Sequence, residues 1–72
     1  MLQDIINIIC DFVEADPDGI NENSSLRNDI GASSFDLMNI AVEIEQRYHV
    51  RVPDERLPLI KTVGGIMQLI GA

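Results

Sequence analysis

The sequence predicts a small all-α fold, a bundle of three main helices plus one short helix, with a long loop between the first two main helices. Three segments repeat their apolar residues at intervals of three and four, and Pro and Gly residues separate these segments. No segment alternates apolar and polar residues for long enough to make a strand. The chain has 72 residues, which suits one core, so residues 1–72 are expected to form a single domain.

The first main helix is predicted between Leu2 and Val13. Its apolar and polar residues divide into opposite stripes, which are Leu2, Ile5, Ile6, Ile9, Phe12 and Val13 on one side and Asp4, Asn7, Asp11 and Glu14 on the other. The helix should stop near Asp16, because Pro17 disfavours helical geometry in the residue before it. A long polar connection follows, in which Ile20, Leu26 and Ile30 are the expected anchors onto the core. Connections of this length are usually functional or mobile.

The second main helix is predicted from Ser34 to Tyr48, and its residues divide into three stripes. The core face is Leu37, Ile40, Ala41, Ile44 and Tyr48, and the polar face is Asp36, Asn39, Glu43, Gln46 and Arg47. A third stripe, Phe35, Met38 and Val42, is continued by Glu45. This stripe either widens the core face or forms an exposed apolar ridge on which a partner docks.

The rest of the chain is predicted to hold a short helix and the last main helix. Val52 should anchor the connection, with Pro53 beginning a short helical turn and Pro58 ending it. Thr62 is the expected N-cap of the last helix. Its inward-facing residues should be Val63, Ile66, Met67 and Ile70.

Composition narrows the possible partners and compartment. The net charge is −7, so phosphate backbones are repelled and a nucleic-acid partner is not expected, whereas basic protein surfaces are attracted. No apolar run is long enough for membrane insertion, and Asp4 without a preceding basic residue does not suit a signal peptide. The lone Cys10 cannot form an internal disulfide. These features predict an unprocessed cytoplasmic protein.

Two adjacent serines precede the second helix in the stretch "IGASSFDLMNI". Either Ser33 or Ser34 lies where an N-cap belongs, and Asp36 stands three residues after Ser33, as the acidic member of a capping box does. Taken alone, this pattern indicates a helix cap and no further role.

The stretch "DIGASSFDLMNI" resembles the "D-L-G-x-D-S-L-D-x-V-E-L" signature of acyl carrier proteins, with Ser34 at the modified serine. The tail "VPDERLPLIKTVGGIMQLI" is similar to the family's "I-P-D-E-…-T-V-…-I" tail, and the order of helices is that of the carrier fold. The resemblance covers essentially the whole chain. It implies an acyl-carrier-protein-like bundle.

The resemblance also implies a prosthetic group. In such proteins a phosphopantetheinyl transferase moves 4′-phosphopantetheine from coenzyme A onto the serine, here Ser34. The thiol of the arm then carries acyl or aminoacyl thioesters between enzymes of fatty-acid, polyketide or related biosynthesis. Such a protein is a monomeric carrier and not an enzyme, and it meets its loading and acyl-using enzymes through their basic docking patches. The docking residues expected here are Phe35, Asp36, Met38, Val42, Glu43 and Glu45.

Two departures from the family pattern leave alternatives open. Ser33 replaces the Asp that usually precedes the modified serine, so an unmodified, carrier-like interaction module is the alternative function. Asn39, Gln46 and Arg47 stand where acids are common, so a specialised carrier is as compatible with the sequence as a fatty-acid carrier.

The stretch "EADPDGINENSS" aligns partly with a calcium-binding loop, although Ser25 stands where a bidentate Glu belongs. No metal site is predicted.

Overall fold

Three α-helices and two single-turn 3₁₀ helices make up the computed structural model, which describes residues 1–71. Helix α1 spans Leu2–Phe12, α2 spans Ser34–Tyr48 and α3 spans Val63–Ile70. The 3₁₀ helices are Pro17–Gly19 and Leu57–Leu59. Within the described residues the only β-type pairing is one isolated bridge, between Ser25 and Thr62. The all-α prediction is therefore confirmed, but the expected short fourth helix is a 3₁₀ turn and not an α-helix.

Helix α1 supplies the centre of the core. Its buried residues are Ile5, Ile6, Ile8 and Ile9. Two assignments from the sequence were wrong: Ile8 was left off the apolar stripe but is fully buried, and Phe12 was placed on it but is 38% exposed. Ile8 lies three residues after Ile5 and shares its buried face of the helix. Phe12 is exposed because α1 ends there and Val13 turns to extended geometry, at φ −127° and ψ 136°. Val13 thereby reaches the core in place of Phe12.

The long loop is anchored by apolar side chains, as the sequence predicted. Ile20, Leu26 and Ile30 are all buried, and Ala32 joins them just before α2. These four side chains belong to the same core as the α1 isoleucines. The loop is therefore part of the packed structure along much of its length.

Backbone hydrogen bonds fasten the same loop to the start of α3. The amide of Leu26 donates to the carbonyl of Lys61 at 2.9 Å, and the amide of Gly64 donates to the carbonyl of Glu22 at 2.8 Å. A Cβ at Gly64 would lie 3.2 Å from that Glu22 oxygen. This close approach accounts for a glycine in the first turn of α3, where helix propensity alone disfavours it.

Helix α2 has the predicted bounds. Leu37, Ile40 and Ile44 are buried, while Ala41 and Tyr48 are half-buried. The helix ends at His49, whose φ of 56° and ψ of 43° are left-handed. Helix α2 packs on α1, which places the first turn of α2 at the surface beside the long loop.

The segment between α2 and α3 differs in detail from the prediction. Val52 is buried as expected. The turn does begin at Pro53, whose carbonyl accepts from the amide of Arg56 at 2.9 Å. Pro58, however, lies inside the following 3₁₀ helix instead of ending the turn. Proline is compatible with this position because the first amides of a helix have no intrahelical acceptor to lose.

Helix α3 begins as predicted. The Thr62 side chain accepts a hydrogen bond from the amide of Gly65 at 3.2 Å. Val63 and Ile66 are buried, and Met67 and Ile70 pack half-buried against the core. None of the helices in residues 1–71 is long and apolar enough to cross a membrane.

Candidate functional site

The two serines before α2 have different roles. Ser33 is the N-cap: its Oγ accepts from the amide of Asp36 at 3.1 Å, and the amide of Ser33 donates to Asp36 Oδ2 at 2.9 Å. This is a complete capping box. Ser34 occupies the first helical position and is exposed. Because Ser33 caps the helix, the hydroxyl of Ser34 is left available for other chemistry.

Arg27 is the basic residue at this site, and the sequence interpretation missed it. Its Nη2 donates a hydrogen bond to Ser34 Oγ. Arg27 lies in the long loop, and the bends that bury Leu26 and Ile30 on either side bring it back to the start of α2. A signal was present in the sequence, since Arg27 is the one basic residue between Asp16 and Ser34.

Gly31 shapes the approach to Ser34. It has a φ of +83°, and nothing lies within 4 Å of the position where a Cβ would be. A glycine adopts this left-handed geometry without steric cost. The chain therefore turns sharply into α2 while the surface in front of Ser34 stays open.

A surface groove runs from Ser34 between α2 and the second 3₁₀ helix. It is lined by Arg27, Ser34, Leu37, Met38, Asp54, Leu57 and Pro58. An adjoining depression shares Arg27 and Leu57 and adds Lys61. Ser34 thus lies at the edge of a groove that has apolar walls and basic side chains near its rim.

The third stripe of α2 is exposed. Phe35 is 71% exposed, Met38 56% and Val42 50%. The interpretation of this stripe as a wider core face is therefore wrong. The three side chains form an apolar ridge beside Ser34, and we call Phe35, Met38 and Val42 the α2 ridge.

Two of the three acidic residues expected at a docking face also stabilise the fold by accepting hydrogen bonds from backbone amides. Asp36 completes the capping box, and Glu45 Oε2 accepts from the amide of Val52 at 2.8 Å. Glu43 lies between them on the helix and is half-buried. The negative charge near the α2 ridge therefore comes from side chains that are largely fixed in place.

An internal cavity lies under α2 and is too small for cargo. Its volume is about 20 Å³, and its lining is entirely apolar, from Leu26, Leu37, Ile40, Ala41, Ile44, Val52, Leu57, Ile60, Ile66 and Leu69. A space of this size holds about one water molecule. This cavity is therefore too small for an acyl chain.

The loop that aligned partly with a calcium motif forms turns. Asp16 Oδ1 accepts from the amide of Asp18 at 3.0 Å, and Asn21 Oδ1 accepts from the amide of Asn23 at 2.8 Å. In the part of the chain that the structure describes, no group of three or more His, Cys, Asp or Glu side chains is arranged to hold a metal ion. These oxygens act as turn-forming acceptors.

Comparison with known proteins covers nearly the whole chain. A family model described as "Phosphopantetheine attachment site" matches residues 3–70. The chain is also 36% identical over 66 residues to an acyl carrier protein of Lactobacillus acidophilus, covering 92% of this chain and 82% of that protein. Both similarities extend over nearly the whole chain.

The residues around Ser34 suit a covalently attached phosphate group. The exposed hydroxyl offers an oxygen for an ester, the Arg27 guanidinium lies against that oxygen, and the first turn of a helix has unpaired amides that favour an anion. The chain belongs to the phosphopantetheine-binding family of acyl carrier proteins, whose cofactor is covalent 4′-phosphopantetheine, and it is a carrier and not an enzyme.

Proposed function

We propose that Ser34 is the attachment site of 4′-phosphopantetheine, and that the arm carries acyl or aminoacyl thioesters between enzymes of fatty-acid, polyketide or related biosynthesis. The proposal rests on the different roles of the two serines. Ser33 completes the cap of α2, so Ser34 presents an exposed hydroxyl that the fold does not use for capping.

The attachment chemistry needs a partner enzyme. Ser34 Oγ forms a bond to the phosphorus that bears pantetheine in coenzyme A, loses its proton, and releases adenosine 3′,5′-bisphosphate. The nearest polar side chain, Arg27, is a cation that donates to Oγ and does not act as a base. A phosphopantetheinyl transferase must therefore supply the base. When bound, the arm supplies a terminal thiol for thioester formation.

The α2 ridge is the proposed docking surface for the transferase and for loading and acyl-using enzymes. Phe35, Met38 and Val42 are each at least half exposed and begin directly after Ser34. A contiguous apolar ridge at the rim of a modification site suits a protein interface, and Met38 adds an adaptable contact.

The acidic residues Asp36, Glu43 and Glu45 are proposed to steer partners with basic docking patches. The net charge of −7 supports attraction to such patches. Because Asp36 and Glu45 each commit one oxygen to the backbone, we expect the α2 ridge to contribute more affinity and the acids to contribute more to the association rate. We also propose that the protein is a monomer in the cytoplasm. Its free cysteine, Cys10, suits a reducing compartment.

Intact mass measurement after co-expression with a promiscuous phosphopantetheinyl transferase tests the proposal. We expect the wild-type chain and Ser33→Ala to gain the mass of one phosphopantetheinyl group, and Ser34→Ala to gain none. Ser33→Ala is the matched control because it removes a neighbouring hydroxyl.

An unmodified wild-type chain, or equal added mass on Ser34→Ala, would overturn the proposal. The first result would favour the alternative, an unmodified carrier-like interaction module. The feature that favours this alternative is Ser33, where the family signature has Asp. Such a module would bind its partners equally well with Ser34→Ala.

A further inference from the structure

We infer that Arg27 binds the phosphate of the arm on Ser34 and thereby directs the arm into the groove beside Leu57 and Pro58, away from Phe35 and Val42 of the α2 ridge. This inference rests on the proposed attachment at Ser34. It assigns Arg27 as a positioning residue, since the guanidinium acts on the phosphate and not on the thiol that carries cargo.

The hydrogen bond between Arg27 and Ser34 places the guanidinium close to where the phosphate of the arm would be. Arg27 Nη2 already lies at hydrogen-bonding distance from Ser34 Oγ. In the modified protein that Oγ is an ester oxygen, and the two free phosphate oxygens lie two bonds away from it, through the phosphorus. A guanidinium has five N–H donors in a planar fork, so it can reach a free phosphate oxygen with little movement.

The charge distribution favours the same contact. The chain has twelve Asp and Glu against five Lys and Arg, so most of its surface repels an anion. The site also holds two carboxylates, that of Asp36, which is fixed in the capping box, and that of Asp54, which lines the groove. Arg27 is the cation in contact with Ser34, and Lys61 lines the adjoining depression. A phosphodiester, which has one negative charge, is therefore drawn to the Arg27 side.

The position of Arg27 decides which way the arm leaves Ser34. Arg27 lines the groove together with Leu57 and Pro58. Of the α2 ridge, Met38 lines the groove, whereas Phe35 and Val42 do not. A phosphate held by Arg27 places the first atoms of the arm at the groove, against apolar walls. Phe35 and Val42 then stay uncovered for an incoming enzyme while the arm is attached.

NMR spectroscopy of the loaded protein tests the phosphate contact. Wild type, Arg27→Gln, Arg27→Lys and the control Arg47→Gln are loaded to completion, as verified by mass. Arg47 is a matched control because it lies in the last turn of α2, at the far end from Ser34. We expect the ³¹P resonance to shift in Arg27→Gln, to shift less in Arg27→Lys, and to stay unchanged in Arg47→Gln.

Melting temperatures of the apo and loaded forms provide a second readout. Arg27 is exposed, so apo Arg27→Gln should have nearly the same Tm as apo wild type. Loading should raise the wild-type Tm by about 2 to 4 °C, an increment typical of one exposed charge-assisted contact in a domain of this size. Arg27→Gln should lose this increment, Arg27→Lys should keep part of it, and 0.5 M salt should reduce it in wild type.

Backbone amide shifts test the direction of the arm. On loading, the amides of Asp54 and Leu57 should shift in wild type and respond much less in Arg27→Gln. The inference is overturned if Arg27→Gln and Arg47→Gln give the same ³¹P shift and the same loading increment, or if loading perturbs Phe35 and Val42 instead of the groove. A chain that never gains the arm mass speaks against the attachment at Ser34, so the two proposals fail by different measurements.

Discussion

Ser33 and Asp36 exchange two hydrogen bonds at the start of α2, one of 3.1 Å to Ser33 Oγ and one of 2.9 Å to Asp36 Oδ2. This reciprocal pair satisfies the amides of both residues and fixes where the helix begins. Ser34 is consequently placed at the first helical position with its side chain pointing into solvent. Ser33 thus stabilises the start of the helix, and the hydroxyl of Ser34 is accessible at the surface.

Replacing each serine by alanine should separate these two roles. Ser33→Ala removes the cap and should lower the free energy of unfolding by about 1 kcal/mol, which corresponds to a Tm decrease of about 4 to 8 °C. Ser34→Ala should leave the Tm of the apo protein nearly unchanged. Thermal unfolding followed by circular dichroism measures both. Equal destabilisation by the two variants would contradict the assignment of the cap to Ser33.

The α2 ridge should affect recognition and not stability. Met38 is 56% exposed, so Met38→Ala should change the free energy of unfolding by less than about 0.5 kcal/mol. The transferase rate should fall by roughly fivefold or more, because Met38 is a proposed docking contact.

Ile44 provides the matched control on the core face of the same helix. It is 1% exposed, and Ile44→Ala should cost about 2 to 5 kcal/mol, enough to unfold much of a domain this small. Thermal unfolding and transferase kinetics of both variants show whether Met38 belongs to an exposed docking ridge or to the core. A Met38→Ala protein that melts as early as Ile44→Ala would show that the ridge is part of the core.

Glu45 should matter more to stability than Glu43. Glu45 Oε2 accepts the amide of Val52 at 2.8 Å and ties the end of α2 to the chain that follows it. Glu45→Ala should lower the free energy of unfolding by about 1 kcal/mol, because the amide loses a charged acceptor in a partly exposed position. Glu43→Ala should stay within about 0.5 kcal/mol of wild type. Urea unfolding at pH 7 compares them, and a reversed order would contradict a structural role for Glu45.

Two exposed glycines should respond oppositely to alanine. At both Gly31 and Gly19 nothing lies within 4 Å of an added Cβ, but only Gly31 has a positive φ, of +83°. Gly31→Ala should therefore destabilise the protein by about 1 to 2 kcal/mol. Gly19→Ala should be neutral or stabilising by up to about 1 kcal/mol, because it reduces the entropy of the unfolded chain. Denaturation midpoints of the two variants give the comparison.

The thiol of Cys10 should react slowly. Burial, together with the nearby charges of Asp11 and Asp16, raises the pKa of the Cys10 thiol above its ordinary value. The apo protein should then show one slow thiol with an aromatic disulfide reagent at pH 8, and the loaded protein should show an additional fast thiol from the arm. A fast thiol in the apo protein would contradict this assignment.

The same pKa shift makes stability depend on pH. The folded protein favours the neutral thiol. The stability that this preference gives is fully present below the ordinary pKa of the thiol and is lost as pH rises through the raised pKa of the folded protein. Between pH 8 and pH 10, wild type should therefore lose more stability than Cys10→Ala. Thermal unfolding of both at these two pH values measures the difference.

Local patterns predicted the bounds of the regular helices well. The span of α2, its core residues Leu37, Ile40 and Ile44, and the Thr62 cap of α3 all follow from periodicity and capping, which depend on near neighbours in sequence. The errors lie where packing overrides periodicity. Phe12 is exposed because α1 ends there and Val13 reaches the core instead, Ile8 is buried beside Ile5 and Ile9, and Pro58 lies inside its 3₁₀ helix.

The sequence by itself determined the helical class, the capping pattern, the net charge of −7 and the resemblance that singled out Ser34, because each depends on composition or on residues a few positions apart. Only the tertiary structure decided that the α2 ridge faces solvent and that Arg27 reaches Ser34 Oγ. Those outcomes depend on which faces α1 and the anchored loop cover, and such contacts join residues too far apart in the chain for any local pattern to record.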